Sequence, residues 1–373
     1  MKIVVFGLAI SSSWGNGHAT LWRGLFRALS AMGHKAVFFE RDVPFYAAQR
    51  DLDRPDFCEL VLYKHWIDAL PAATRALASA DVGIITSYCP DAALANDLLV
   101  SSRVPIRAFY DLDTPVTLER LAAGQHVDYI GARGLAEYDV VLSFTGGAAL
   151  DELQKLGARR AVPLYGSVDP MVHRPVAPTN LYQGDLSYLG TFAADRQDTL
   201  ARLFLEPSRR LPSHRFVLGG SLYPVDFPWQ PGVRYVHHVP PHSHPQFYCS
   251  SPLTLNVTRG AMKKRGFCPQ GRLFEAAACG VGVVTDAWEG LDTFFEPGRE
   301  ILVAETSDAV MAAMRLPRTE LARIGAAARA RALNEHTAER RAQDLIAHLG
   351  VDASETRVRA TSAPPSANAG VKE

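Results

Sequence analysis

Short apolar runs alternate with amphipathic stretches along most of this 373-residue chain, and no other feature limits its possible folds so strongly. Runs such as Ile3–Gly7 and Val82–Thr86 have the length of buried strands. Between them, Leu21, Leu25 and Leu29 recur at helical spacing. Alternating strands and helices predict parallel sheets with helices packed on both faces. We therefore expect an α/β, doubly wound architecture.

The strand candidates fall into two series separated by the proline-rich segment Asp169–Pro178, which is typical of a linker. We predict an N-terminal Rossmann-like domain over 1–167, a linker over 168–180 and a C-terminal Rossmann-like domain over 181–335. A helix at 336–350 can pack back on the first domain. The tail at 351–373 is rich in Ser, Ala and Pro, which predicts disorder. The strand candidates are Ile3–Gly7, Ala36–Phe39, Val82–Thr86, Ile106–Tyr110, Asp139–Phe144, Asp185–Gly190, Arg215–Gly219, Val233–His237, Leu253–Val257 and Val281–Thr285.

Charge and cysteine content exclude several classes of protein. Lys plus Arg equals Asp plus Glu at 39 each, so no overall field attracts nucleic acid or an anionic membrane. The five cysteines show no C-x-x-C spacing, which argues against a disulfide scaffold. The first residues lack the pattern of a signal peptide, and no apolar run is long enough for a transmembrane segment. We expect a cytoplasmic protein; its oligomeric state stays open.

The segment around Gln270–Glu275 predicts an anion site at the start of a helix. Gly271 marks a loop entering a helix, whose first N–H groups and positive dipole suit a diphosphate. Arg272 opposes that dipole, and an anionic ligand would relieve the conflict. Glu275 lies one turn later and can accept hydrogen bonds from the vicinal hydroxyls of a ribose. The same spacing also fits a surface Arg–Glu pair on a core helix.

A second candidate site follows the first strand, at the sheet edge where open α/β folds bind ligands. Gly15 and Gly17 permit close approach of a ligand to the backbone. Asn16 lies between the two glycines, and His18 follows Gly17. A neutral His18 can accept the proton of an acceptor hydroxyl; the alternative is a histidine that caps or packs the helix start.

Two further loops reach the same edge. Asp111 and Asp113 follow the strand Ile106–Tyr110, and we favour Asp113 as a residue that orients His18 or contacts the acceptor hydroxyl. Asp113 can equally cap the helix that begins at Thr114. Thr145, Gly146 and Gly147 form a third loop, which we expect near the donor phosphates.

Several stretches together resemble group 1 glycosyltransferases, most of all the CgeB-like, spore-maturation-type branch. The resemblance covers residues 1 to about 350. It implies the GT-B fold, with two Rossmann-like domains facing a cleft. It also implies a bacterial enzyme that transfers a hexose, without a metal, from a nucleotide-diphosphate sugar to an acceptor hydroxyl; we expect a UDP-sugar and no further cofactor. The matching stretches are Arg272–Gly280, Asp286–Leu291, Phe295–Glu300, Tyr188–Thr191, Leu255–Arg259, Ser12–Thr20 and Phe109–Pro115.

The resemblance assigns roles to particular residues. Glu275 fits the second carboxylate of the family's E-x7-E motif, whereas the first falls on Phe267 and is absent, which favours inversion with a base in the cleft. Arg196, after the Gly190-Thr191 turn, aligns with a phosphate-binding basic residue of relatives, or is a solvated arginine at a helix start. Arg259 can also face phosphate.

The sequence also leaves other functional interpretations open. Gly15, Gly17 and Thr20 nearly fit the dinucleotide motif of an NAD-dependent oxidoreductase, and Glu40 ends the next strand, but residues 8–14 intervene where a tight turn is needed. A nucleotide-sugar epimerase of GT-B fold or a non-catalytic sugar-nucleotide-binding protein also fits.

Asp-x-Asp is a metal signature of GT-A transferases, but two βα series argue against that fold. His237, His238, His242 and His244 have no partner cysteine and no regular spacing, so no metal site is expected.

Overall fold

The computed structural model describes residues 1–131 and 133–350, so the predicted disordered tail at 351–373 lies outside the described residues. The first domain contains a seven-stranded parallel sheet in the order β3-β2-β1-β4-β5-β6-β7. Its elements are β1 (Lys2–Gly7), α1 (Gly17–Ala31), β2 (Lys35–Arg41), α2 (Pro44–Ala47), β3 (Glu59–Tyr63), α3 (Trp66–Ala78), β4 (Val82–Thr86), α4 (Ala92–Ser101), β5 (Ile106–Asp111), α5 (Thr114–Ala122), β6 (Val140–Ser143), α6 (Ala148–Lys155) and β7 (Ala161–Pro163).

The second domain contains a six-stranded parallel sheet in the order β10-β9-β8-β11-β12-β13. A π-helical turn, Ala201–Leu205, joins α7 to α8. The elements are β8 (Leu186–Leu189), α7 (Gln197–Leu200), α8 (Glu206–Arg210), β9 (Phe216–Gly219), β10 (Val233–Val236), α9 (His244–Cys249), β11 (Leu253–Asn256), α10 (Gly260–Arg265), α11 (Gly271–Ala278), β12 (Gly282–Thr285), β13 (Leu302–Val303), α12 (Ser307–Met314) and α13 (Arg318–Glu335). The last helix, α14 (Ala338–Leu349), follows the second domain in sequence.

Strand β1 shows why these apolar runs form buried parallel strands. Successive side chains of a strand point to opposite faces of the sheet. Val4 and Phe6 accordingly enter the core on one face, and Ile3 and Val5 enter the core on the other. All four are fully buried because helices cover both faces of the sheet.

The carboxyl ends of both sheets face a shared cleft of about 490 Å³. In each sheet, the strand that comes first in sequence lies in the interior of the sheet. The chain adds strands on one side of it and then on the other, so β1 lies between β2 and β4, and β8 lies between β9 and β11. Ligands of open α/β sheets bind outside the strand ends at such points. The topology therefore brings two ligand-binding edges together.

The chain crosses between the domains twice, and the two crossings are hydrogen-bonded to each other. The N–H of Val168 donates to the carbonyl of His336 over 2.9 Å, and the N–H of Ala338 donates to the carbonyl of Val168 over 2.7 Å. After the second crossing, α14 packs on the first domain and buries Leu345 and Leu349 in that domain's core. Among the described helices, none has the length and apolarity needed to cross a membrane.

Candidate active site

The interdomain cleft brings together most of the residues predicted from the sequence. Asp111 and the loop 145–147 do not line it. The first domain contributes Gly15, Asn16, Gly17, His18 and Asp113, and the second contributes Gly190, Thr191, Arg196, Arg259, Gln270, Gly271, Arg272 and Glu275.

Two arginines converge on one tyrosine hydroxyl at the wall of the cleft. Arg196 Nη1 lies 3.0 Å and Arg272 Nη1 lies 3.5 Å from the hydroxyl oxygen of Tyr188. In the described part of the chain, neither guanidinium pairs with a carboxylate, and the buried Nε of Arg196 has no hydrogen-bond partner. Burial alone would raise the pKa of Tyr188, but the two arginines outweigh it and lower that pKa. The wall therefore carries two positive charges that an anion would compensate.

The backbone beside the arginine pair is shaped for close approach. A Cβ on Gly190 would lie 3.0 Å from Arg272 Nη1 and 2.6 Å from the Tyr188 hydroxyl, so glycine is needed there. Helix α11 starts at Gly271, and the side chain of Gln270 does not cap its first turn. That side chain is held instead by Asn256, whose amide donates to it over 2.8 Å. The first N–H groups of α11 are left for a ligand.

Glu275 lies on the buried side of α11 and is only 8% exposed. Its Oε2 accepts a hydrogen bond from the Tyr248 hydroxyl over 3.2 Å and lies 3.4 Å from His244 Nδ1 and 3.8 Å from His173 Nε2. Burial would raise the carboxyl pKa, but His173, His244 and Tyr248 outweigh it and hold the pKa at about 2. Among described residues, no hydrogen bond reaches Oε1, which leaves that oxygen for a ligand in the cleft.

His18 sits in the first turn of α1. The carboxamide oxygen of Asn16 caps the helix by accepting from the His18 N–H over 3.1 Å, while the Asn16 amide donates to the Ala9 carbonyl over 3.1 Å. Burial lowers the pKa of His18, and the Asp113 carboxylate partly opposes that effect. The ring is therefore neutral at pH 7, and its buried Nδ1 has no partner within the described residues.

The two aspartates after β5 occupy different surroundings. Asp111 is fully buried, its Oδ1 accepts from the Asp113 N–H over 3.0 Å, and burial raises its pKa to about 7. Asp111 therefore supports the loop from the protein interior, whereas Asp113 lines the cleft. Arg259 Nη1 lies 3.9 Å from Asp113 Oδ1, and its Nε pairs with Asp195 over 3.1 Å. Arg259 is thus already neutralised, unlike the pair on Tyr188.

The third predicted loop contacts the other domain rather than the cleft. Thr145 is buried and its hydroxyl donates to Cys268 Sγ over 3.1 Å, and the N–H of Gly146 donates to the Phe267 carbonyl over 3.0 Å. The aromatic ring of Phe267 packs where a Cβ of Gly147 would stand, 2.6 Å away. The expected contact with donor phosphates is therefore replaced by an interdomain contact. The side chain of Phe267 fills that interface, and its backbone has a positive φ of 44°.

The surroundings of Glu40 argue against dinucleotide binding. Its Oε2 accepts from the N–H groups of Ile10 and Ser11 over 2.7 and 3.0 Å, and its Oε1 accepts from the Ser11 hydroxyl over 2.5 Å. A dinucleotide-binding acidic residue must be free for ribose hydroxyls. Glu40 is instead fully buried and organises the loop after β1.

Sequence reasoning missed several aromatic and imidazole side chains of the site. Tyr188 belongs to the stretch Tyr188–Thr191, which contributes to the family resemblance, but the sequence predicted no role for its hydroxyl. Tyr88, at a positive φ of 62°, lies beside His18 with 5.9 Å between ring centroids. Trp14 reaches across the cleft to His238, 4.8 Å between centroids. His173 is in the linker, where no pattern indicated a role.

The chain is similar to known glycosyltransferases in part of its sequence and in its fold. Residues 196–347 match the family model Glyco_trans_1_2, described as glycosyl transferase-like. The two parallel-sheet domains match solved GT-B glycosyltransferase structures, which confirms the predicted fold. No curated protein sequence matches the chain.

Three solved structures illustrate the likeness. Sucrose-phosphate synthase from Thermosynechococcus elongatus is 14% identical, with a TM-score of 0.66 over 97% of this chain and 100% of that one. Anabaena Alr3699/HepE in complex with UDP-glucose is 11% identical, with a TM-score of 0.64 over 94% and 99%. An alpha-glucosyltransferase in complex with UDP and a 13-mer DNA is 10% identical, with a TM-score of 0.68 over 94% and 99%.

Proposed function

We propose that this protein transfers a sugar from a nucleotide-diphosphate donor to an acceptor hydroxyl. The observation that carries the proposal is the pair Arg196 and Arg272, which meets at the cleft wall without a carboxylate partner among the described residues. Two unpaired guanidiniums beside a helix start match the charge and size of a diphosphate. The family match over residues 196–347 and the UDP-sugar complexes of similar structures support a sugar nucleotide as its source.

The donor would span the cleft wall of the second domain. The arginines and the first N–H groups of α11 would stabilise the departing diphosphate, the charge-compensating role that a metal plays in other enzymes. Glu275 Oε1 would accept hydrogen bonds from ribose hydroxyls, because its other oxygen is already engaged by Tyr248. A UDP-hexose is the donor we favour, and the reaction at the diphosphate would need no metal.

The first domain would serve the acceptor. His18 and Asp113 face the donor wall from the opposite side of the cleft. A neutral His18 can take the proton of the acceptor hydroxyl as the hydroxyl oxygen attacks the anomeric carbon and the diphosphate leaves. Direct displacement of this kind inverts the anomeric configuration. By the sequence resemblance, the first carboxylate of the E-x7-E motif would fall on Phe267, and its absence also favours inversion.

Nucleotide binding tests the donor half of the proposal. Isothermal titration with a panel of nucleotide sugars should find one that binds the full-length protein. Arg272→Ala and Glu275→Ala should each weaken that binding by about 1–3 kcal/mol, since each removes hydrogen bonds to a charged group.

Arg299→Ala is the matched control, because Arg299 is exposed in the same domain and, among the residues that the structure describes, pairs only with Glu296. Its affinity should equal that of the wild type. Unchanged affinity in both cleft variants would refute the donor site, whereas tight binding without sugar transfer to any acceptor would favour a non-catalytic binding protein.

A further inference from the structure

Three side chains with metal-binding atoms meet at the edge of the cleft. His173 comes from the linker, His244 is the first residue of α9, and Glu275 belongs to α11. One donor atom of each lies within 4.8 Å of the other two. Three elements that are distant in sequence thus place two imidazoles and a carboxylate around one point.

The separation between Glu275 and His244 matches that of two ligands of one cation, and the separation between Glu275 and His173 is somewhat wider. Glu275 Oε2 lies 3.4 Å from His244 Nδ1 and 3.8 Å from His173 Nε2. Two donors bound to one zinc ion at tetrahedral angles lie roughly 3.3–3.4 Å apart, since each sits about 2.0–2.1 Å from the metal. A strong charge-assisted hydrogen bond would instead bring nitrogen and oxygen to about 2.7–2.9 Å.

The positions of the ring hydrogens point the same way. His244 Nε2 lies 3.1 Å from the Val239 carbonyl oxygen and, in the neutral ring, donates its hydrogen there. The lone pair of Nδ1 then faces the Glu275 carboxylate, and Nδ1 is buried without a partner. A histidine that donates one N–H to a backbone carbonyl and presents the other nitrogen is the usual arrangement of a metal ligand.

His173 supplies an independent observation. Its side chain is 1% exposed, and neither ring nitrogen has a hydrogen-bond partner among the described residues. Buried polar groups without partners are rare in folded proteins and call for a ligand, a water or an ion. A small cavity of about 20 Å³ also borders His173 and has room for about one water.

We propose that His173, His244 and Glu275 bind one divalent transition-metal ion of the zinc type, with a fourth coordination position open to the cleft. Imidazole nitrogens select zinc and its neighbours in the first transition row over Mg²⁺ and Ca²⁺, which prefer oxygen ligands. His244 and Glu275 line the cleft, so the open position can take water or a ligand hydroxyl. The inference is independent of sugar transfer at the diphosphate.

The ion would connect the linker to the donor-binding helix. Glu275 Oε2 would bind the ion, while Oε1 would stay available to a ribose. The metal would thereby fix the orientation of Glu275 and attach the interdomain segment around His173 to the second domain. It would act as a positioning group rather than as a partner of the diphosphate.

Cobalt titration of the full-length, chelator-treated protein tests the site, with no nucleotide present. We expect one equivalent of Co²⁺ to bind with the visible absorption of a four-coordinate ion and to be displaced by Zn²⁺. His244→Ala and His173→Ala should each weaken binding by about 100-fold or more, since even outer-shell changes cost 10–100-fold. His242→Ala is the matched control, because His242 is an exposed histidine two positions from His244 and is not one of the three clustered side chains, so this variant should bind as the wild type does.

Folding of each variant is checked by circular dichroism, and Glu275→Gln replaces any variant that does not fold. Added Zn²⁺ should also raise the melting temperature of the wild type but not that of the cluster variants. No saturable Co²⁺ binding by the wild type, or binding that survives His244→Ala, would overturn the proposal and leave a proton shared between His244 and Glu275. Because no nucleotide takes part, this result is separate from the fate of the donor site.

Discussion

Burial lowers the pKa of His18 while the nearby Asp113 carboxylate works in the opposite direction. The net shift is downward from 6.5, so the neutral ring predominates at pH 7. A general base must be unprotonated to accept a proton. At the scale of the residue, the surroundings of His18 thus favour the neutral ring that the proposed general base requires.

His18→Ala should reduce turnover by about 10² to 10⁴-fold with little change in donor affinity, because it removes the base and not the donor site. In the wild type, the fall of turnover on the acid side should have its midpoint below pH 6.5, since protonation of the ring occurs at its lowered pKa. Steady-state rates across the pH range check both expectations.

His126→Ala is the control, because that imidazole is 82% exposed and lies outside the cleft. Its pH profile should match that of the wild type. If His18→Ala retained near-normal turnover, His18 would be a structural residue of the helix start.

The sequence placed residues in the cleft more successfully than it described their contacts. The turn at Gly271 and the one-turn spacing predicted a helix start that carries Arg272 and Glu275, although the same spacing also fitted a surface Arg–Glu pair. His173, 102 positions earlier in the sequence, forms part of the environment of Glu275. It lies in a linker, and the contacts of a linker produce no periodic sequence pattern from which they could be predicted. Burial similarly separates Asp111 from Asp113, although the two stand two positions apart in the same loop.

At the scale of the element, the loop after β6 is shaped by the Phe267 side chain of the opposite domain. Gly147 has φ 59° and ψ −146°, a conformation that is essentially restricted to glycine. The Phe267 ring then fills the space beside it. The glycine is thus required both by its backbone conformation and by its neighbour.

Gly147→Ala should lower the free energy of unfolding by about 1–3 kcal/mol from backbone strain, plus a further amount from the clash with Phe267. Adding Phe267→Ala should remove the clash and leave the strain. A double-mutant cycle measured by urea unfolding should therefore show a coupling energy of at least about 0.5 kcal/mol.

Gly124→Ala separates the two causes, because Gly124 also has a positive φ, 69°, but nothing within 4 Å of its Cβ position. It should show strain and no coupling to Phe267→Ala. Equal coupling at both glycines would contradict the assigned contact.

Strands that are buried on both faces were predicted to within a residue or two, as β4 at Val82–Thr86 shows. Three of the four edge strands were missed: β3 is half exposed, β7 has three residues and β13 has only two, whereas the fourth edge strand, β10, was predicted. Burial on both faces produces a continuous apolar run, whereas an edge strand carries a mixed pattern that resembles a loop.

At the scale of the whole molecule, α14 joins the first domain although it follows the second in sequence. Leu345 is 1% exposed and packs in the same core as Trp22 and Phe26 of α1. The N-terminal segment alone therefore lacks part of its own core.

Leu345→Ala should destabilise the first domain by about 2–5 kcal/mol, because it leaves a cavity at a fully buried site. Limited proteolysis followed by mass spectrometry should show the new cleavages within the first domain. Gln343→Ala on the exposed face of the same helix should leave the pattern unchanged. New cleavages confined to the second domain would contradict the packing described for α14.

The return of α14 also bears on how the protein is made. Domains generally fold as units while the chain emerges from the ribosome, the N-terminal one first. Here the first domain stays one helix short until residue 349 has been synthesised, so the second domain can finish folding before it. Fragments cut at the linker would inherit the same gap, and isolating the first domain in a folded state would require fusing 338–349 to it.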